Sequence, residues 1–105
     1  MPSKINRYAS HIRVLCKAKP SLCKAMLNAA EPELIQCLCE CALNVLKGNV
    51  SLHPGQKRKL MPYKEDLRFL ASRSGALQKK KRVLQKGGLL PAVLGPIIGL
   101  IASSL

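Results

Sequence analysis

The sequence has few residues that can neutralise or stack on its many positive charges. Only five of its 105 residues are acidic, against 18 lysines and arginines, so the formal net charge is +13. Tryptophan is absent, and only three residues are aromatic. A module that binds nucleic acid by stacking on bases would need more aromatic side chains. A wholly disordered basic chain is disfavoured too, because 48% of the residues are hydrophobic. These features predict one small folded unit whose excess charge binds DNA, RNA or anionic lipid, with a merely solvated basic surface as the alternative.

Signatures of catalysis and of metal binding are also lacking. His11 and His53 are far apart in the sequence, and no phosphate-binding loop, nucleophile turn or pair of acids accompanies them. The five cysteines include no C-x-x-C pair, and the alternation of Cys37, Cys39 and Cys41 suits zinc poorly. Their odd number, without a secretory signal, favours a reducing compartment and thiols that act as small hydrophobic side chains. We therefore expect no enzyme, no catalytic residue, no cofactor and no metal, with a Cys–His pair formed in space as the alternative.

Apolar residues recur at helical intervals between residues 8 and 72. This period predicts an all-α fold, a small helical bundle. Pro20, Pro32, Pro54 and Pro62 are placed to open helices, and residues 72–75 are expected to separate two of them. The helix that follows Pro32 is the best defined. The predicted core includes Ile12, Leu15, Leu34, Leu38, Val45, Leu46, Leu67 and Leu70.

Composition divides the chain into three zones. Residues 1–52 read as a helical segment that contains the cysteines, residues 53–86 as a basic helical segment, and residues 87–105 as an apolar tail with glycine and proline. The basic segment has eleven bases and two acids, so it carries +9 of the +13. Its bases can neutralise phosphates, but no helix is marked for reading base edges. The residues predicted to bind nucleic acid are Lys57, Arg58, Lys59, Lys64, Arg68, Arg73, Lys79, Lys80, Lys81, Arg82 and Lys86.

No charged side chain follows the glycine pair Gly87-Gly88. The remaining 17 residues are interrupted by Pro91 and Pro96, and they are fewer than the roughly 20 apolar residues of a membrane-spanning helix. Three alternatives stay open: the tail lies in a bilayer interface, docks on a protein partner, or folds back as a core helix. For the first two, the expected contact residues are Leu89, Leu90, Val93, Leu94, Ile97, Ile98, Leu100 and Ile101.

Two stretches carry a resemblance to a viral family. Residues 79–91, KKKRVLQKGGLLP, resemble the tail of adenovirus core protein X (mu) precursors, where a basic run ends in Gly-Gly before an uncharged tail. Residues 41–50 and 56–60 are similar to small basic proteins of adintoviruses and Polinton (Maverick) elements. The adenovirus protein differs in being Arg-rich and in lacking the cysteine-containing first zone.

The resemblance implies a virion protein that accompanies the packaged genome, present in the host nucleus during assembly. It also implies processing by a viral protease at the Gly-Gly site formed by Gly87, Gly88 and Leu89, with the cut between Gly88 and Leu89. Gln85 stands four residues before the cut, at a position where the family usually has Met, Ile or Leu. The expected function is non-enzymatic binding and condensation of nucleic acid, DNA foremost, without sequence specificity. The alternative is a membrane-active or capsid-docking minor virion protein that acts through residues 89–105.

Overall fold

Helices account for all the regular structure in the part of the chain that is described. The computed structural model describes the backbone of residues 3–103 and the side chains of residues 5–99. No strand occurs in this range, so the prediction of an all-α fold is confirmed. The helices are α1 (Ser3–Arg7), α2 (Ala9–Lys17), α3 (Pro20–Ala29), α4 (Pro32–Leu46), α5 (Pro54–Leu60), a 3-10 turn (Met61–Tyr63), α6 (Lys64–Ala71), α7 (Leu77–Leu84) and α8 (Leu89–Ser103).

Proline sets the starts of three helices. Pro20, Pro32 and Pro54 are the first residues of α3, α4 and α5, where a missing N–H group removes no helical hydrogen bond. His53 caps α5, because its side chain accepts a hydrogen bond from the backbone N–H of Gln56 at 3.4 Å. The Gln56 side chain in turn accepts from the His53 N–H at 3.1 Å. His53 therefore has a role at a helix start.

Helix α4 lies at the centre of the molecule, where it contacts α1, α6, α7 and α8. Leu34, Leu38 and Val45 line its inward face and are buried. Seven of the eight predicted core residues are buried, but the prediction for Leu46 is wrong, since 37% of that residue is exposed. Leu46 is the last residue of α4, and the chain turns directly afterwards at Gly48, which has a φ of +75°. The helix end therefore leaves Leu46 only partly covered.

The uncharged C-terminal zone forms a core helix, so of the three alternatives for the tail the structure shows the one in which it folds back. Helix α8 packs against α2, α4 and α5. Burial of a Leu, Ile or Val side chain contributes about 1.5–3 kcal/mol, which favours this position over an exposed one. Ile98 is half-buried, and the side chains of Leu100 and Ile101 lie outside the described residues. The buried residues, five of the eight expected to contact a membrane or partner, are Leu89, Leu90, Val93, Leu94 and Ile97.

The three compositional zones pack into one body. Helix α4 of the first zone contacts α6 and α7 of the second and α8 of the third. The radius of gyration is 12.4 Å, close to the roughly 13 Å expected for a single domain of 100 residues. Among residues 3–103, no helix combines the length and the apolarity needed to cross a bilayer. The basic segment is thus part of the folded domain.

The packing of α8 predicts a large difference between two leucine-to-alanine substitutions. Leu94 in α8 is fully buried, whereas Leu22 in α3 is 50% exposed. We expect Leu94→Ala to lower the free energy of unfolding by about 2–5 kcal/mol and Leu22→Ala by less than about 1 kcal/mol. Urea unfolding followed by circular dichroism measures both. Similar small losses in the two variants would contradict the placement of α8 in the core.

Candidate nucleic-acid interface

The basic segment is built from short helices that bury apolar side chains and direct bases outward. Helix α5, the 3-10 turn, α6 and α7 follow one another, and each contacts the next. Leu60 of α5, Leu67 and Leu70 of α6, and Leu84 of α7 are buried. These anchors fix the helix faces, so most of the remaining positions point to solvent. The eleven predicted bases therefore lie on an ordered scaffold.

Seven of these eleven bases are exposed and have no partner of opposite charge among the described residues. None makes an ion pair or a side-chain hydrogen bond within the described part of the chain. Their charge is therefore uncompensated locally and available to an external anion. These residues, called the unpaired bases below, are Lys57, Arg58, Lys59, Lys64, Arg73, Lys79 and Arg82.

Contacts within the protein engage the other four bases. Lys80 is buried and donates to the backbone carbonyl of Ser72. Lys81 donates to the carbonyl of Asn28 in α3 at 2.9 Å. The four consecutive bases at residues 79–82 thus have different environments in the folded protein. Lys79 and Arg82 are exposed, while its two middle residues hold α7 against the rest of the molecule.

The two ion pairs in the basic segment differ in how firmly they hold their base. Arg68 lies 3.1 Å from Glu65, and both side chains are more than half exposed. Such a pair is worth about 0–1 kcal/mol, so a phosphate can compete for Arg68. Lys86 lies 2.8 Å from Asp66, whose side chain is only 21% exposed. Lower solvent screening makes this second pair the stronger one, and it ties the end of α7 to α6.

The glycine pair is ordered by contacts with Tyr63. The Tyr63 hydroxyl donates a hydrogen bond to the Gly87 carbonyl at 2.7 Å. Gly88 has a φ of +84°, and a β-carbon there would lie 2.7 Å from the Tyr63 hydroxyl oxygen. Its carbonyl accepts from the N–H of Ala92 at 3.3 Å, which makes it part of the first turn of α8. Gly88 is therefore required for both its backbone conformation and its small size.

This geometry bears on the expected cut between Gly88 and Leu89. A protease cleft takes an extended strand, whereas Gly88 is left-handed and Leu89 is fully buried. The folded form therefore protects this peptide bond. Any protease that cleaves it therefore acts on a form in which α8 has opened.

The three cysteines of α4 are packed as small apolar side chains. Cys37, Cys39 and Cys41 are all buried. A hydrogen bond with Cys37, together with burial, raises the pKa of the Cys41 thiol. Burial raises the pKa of Cys39, and the nearby charge of Lys80 opposes that rise. Cys39 and Cys41 therefore stay protonated near neutral pH and are poor nucleophiles. Within the described residues, no three His, Cys, Asp or Glu side chains are grouped to hold a metal ion.

The burial of Lys80 was not predicted, although the sequence contains a signal for it. Leu77, Lys80 and Leu84 are spaced i, i+3 and i+7, which puts the lysine on the apolar face of α7. Four consecutive charged residues at 79–82 make this apolar face hard to recognise in the sequence. The hydrogen bond between Tyr63 and Gly87 spans 24 residues, and no sequence signal marks it.

No protein-family model matches the chain, and neither the curated proteins nor the solved structures provide a match.

The contacts of the glycine pair predict that alanine is tolerated at Gly87 but not at Gly88. We expect Gly88→Ala to lower the free energy of unfolding by at least about 1 kcal/mol, because alanine is strained at positive φ and meets the Tyr63 hydroxyl. Gly87→Ala is the matched control, since a β-carbon at Gly87 has no neighbour within 4 Å. Chemical denaturation compares the two variants. Equal losses at both positions would contradict the close approach of Tyr63 to Gly88.

Proposed function

We propose that the protein is a non-enzymatic, virion-associated cationic protein that binds and condenses nucleic acid, DNA foremost, without sequence specificity. The observation that carries this proposal is the set of seven unpaired bases, six of which lie on helices α5, α6 and α7, with Arg73 in the connection between α6 and α7. The virion setting rests on the resemblance of residues 79–91 to adenovirus core protein X precursors. Condensation follows when bases on different helices neutralise phosphates of neighbouring duplex segments.

The driving force is the release of counterions from the nucleic-acid backbone. Each phosphate that a lysine or arginine neutralises contributes about 0.9 to the slope of log affinity against log salt concentration on duplex DNA. If all seven unpaired bases make contact, the slope reaches about −6. A lysine ammonium meets phosphate as a point charge and carries no information on base identity. Tyr63 and Phe69, the aromatic residues of this segment, are half-buried and poorly placed for stacking on bases.

Nucleic acid is favoured over an anionic membrane as the polyanion. Binding in a bilayer interface needs a face of apolar side chains that insert between lipids. Between residues 53 and 86, the exposed large apolar side chain is Met61, which is 70% exposed. The described apolar residues of α8 lie mainly in the core and face no bilayer in the folded form. The basic segment therefore has the charge for a phosphate backbone without the apolar surface for lipid.

The division of residues 79–82 allows a test with two charge-matched double variants. Lys79→Gln with Arg82→Gln removes two unpaired bases, and we expect the salt slope for a random-sequence duplex to fall by about 1.8. Lys80→Gln with Lys81→Gln removes the same charge from two bases that contact backbone carbonyls, so the slope should change much less. Fluorescence anisotropy over a range of salt concentrations gives the slopes.

Two controls complete this test. Circular dichroism confirms that each double variant keeps its helices. Vesicles of phosphatidylcholine and phosphatidylglycerol at equal phosphate concentration compare lipid with DNA. Duplex binding that does not depend on salt, or stronger retention by the vesicles than by the duplex, would contradict the proposal.

A further inference from the structure

Lys80 is a buried cation without a carboxylate partner. The residue is 9% exposed, and no ion pair to it occurs in the described part of the chain. Its described partner is the Ser72 carbonyl, which takes one of the three ammonium N–H donors. Burial of a charge is costly unless paired groups surround it. An anion that completes the environment of Lys80 would therefore be favoured.

The Lys80 side chain lines an open cavity of about 630 Å³ between α4, the end of α6, residues 72–76 and α7. This volume falls within the roughly 300–1,000 Å³ of ligand pockets in proteins. Arg73, one of the unpaired bases, also lines this cavity. Two cations thus border the same cavity, which suits a phosphate group with two or more oxygens to share between them.

The rest of the lining has a different chemistry. Leu43, Leu70 and Leu77 supply an apolar surface, and Glu40 of α4 is the acidic residue of the lining. Glu40 makes no ion pair with Lys80 or Arg73. Its carboxylate can accept hydrogen bonds from hydroxyl or amino groups. The cavity therefore offers cations for a phosphate, an apolar surface for a flat ring and an acceptor for polar hydrogens.

The wall that carries the cations is held in place before any ligand binds. The Ser72 hydroxyl donates to the Phe69 carbonyl at 2.6 Å, which fixes the start of the connection. Gly75 has a φ of +99°, and a β-carbon there would lie 2.8 Å from the Phe69 ring and 3.8 Å from Cε of Lys80. Glycine thus lets the connection pass close to both side chains. Little ordering of this wall remains to oppose binding.

We propose that this cavity is a binding site for a nucleoside phosphate, with the phosphate on Lys80 and Arg73, the base against the leucines, and Glu40 accepting from a hydroxyl or amino group. The ligand is either a free nucleotide or an unpaired nucleotide of a nucleic-acid chain. The second source rests on the proposed function, whereas the site itself does not. Paired bases in a duplex are stacked and cannot enter, so the site predicts a preference for single strands.

The neighbouring bases provide matched controls. Lys80→Gln is compared with Lys79→Gln, which removes an exposed base from the same helix. Arg73→Gln is compared with Arg82→Gln, and both of these arginines are exposed. The probe is dAMP, titrated against the full chain by isothermal calorimetry, with inorganic phosphate in parallel. We expect saturable dAMP binding that Lys80→Gln and Arg73→Gln weaken about tenfold or more, and that the two controls change less than about twofold.

A single-stranded oligonucleotide and a duplex of the same length separate the two sources of the ligand. We expect Lys80→Gln to weaken single-strand binding while its duplex binding stays within about twofold of that of the unmodified protein. Binding of dAMP without this effect on the single strand identifies the free nucleotide as the source. If Lys80→Gln loses its helices, Arg73→Gln decides, because Arg73 is exposed.

Absence of saturable dAMP binding by the unmodified protein would overturn the site, as would equal losses in both members of each pair. In either case salt-dependent duplex binding can persist, so the proposed function is judged separately. Conversely, dAMP binding that depends on Lys80, in a protein that does not retain duplex DNA, would overturn the proposed function and leave the site in place.

Discussion

Burial of the uncharged helix α8 is the contact on which the rest of the structure depends. A chain with a net charge of +13 repels itself, and three ion pairs are present in the described residues to offset that repulsion. The compensating attraction is apolar. Helix α8 packs against α2, α4 and α5, so that the first and second zones share one core. The inner faces of α5, α6 and α7, which carry most of the bases of the second zone, pack into that core.

The same arrangement links folding to the binding of a polyanion. Unpaired bases raise the free energy of the folded state through mutual repulsion, and a bound phosphate backbone relieves it. A ligand that binds the folded form alone stabilises that form in proportion to its concentration. The Gly87-Gly88 segment lies at the junction of these two features, because Tyr63 and the Lys86–Asp66 pair connect it to α6. Loss of α8 from the core therefore both exposes the glycine pair and weakens the scaffold of the bases.

The sequence predicts local structure better than it predicts which side of the protein a residue occupies. The prolines that open α3, α4 and α5 act through neighbouring backbone groups, so their effect is visible in a short window. Helical periodicity correctly predicts seven core positions. It fails for Leu46, because periodicity does not show that the end of α4 lacks packing neighbours. Residues 89–98 are buried partly through contacts with α2, which is distant in the sequence. Composition alone therefore does not predict whether they enter the core. The burial of Lys80 was not predicted, because a charged residue on an apolar stripe is uncommon.

Lysine footprinting tests the central claim that the unpaired bases of α5 and α7 meet the phosphate backbone. The chain is acetylated at low reagent concentration, so that most molecules carry at most one modification, with and without a random-sequence duplex. Peptide mass spectrometry then gives the modification rate of each lysine. We expect the duplex to protect Lys57, Lys59 and Lys79, and to leave the exposed lysines of the first zone, Lys17, Lys19 and Lys24, largely unchanged. Protection of the first-zone lysines with unchanged rates at Lys57, Lys59 and Lys79 would contradict this account.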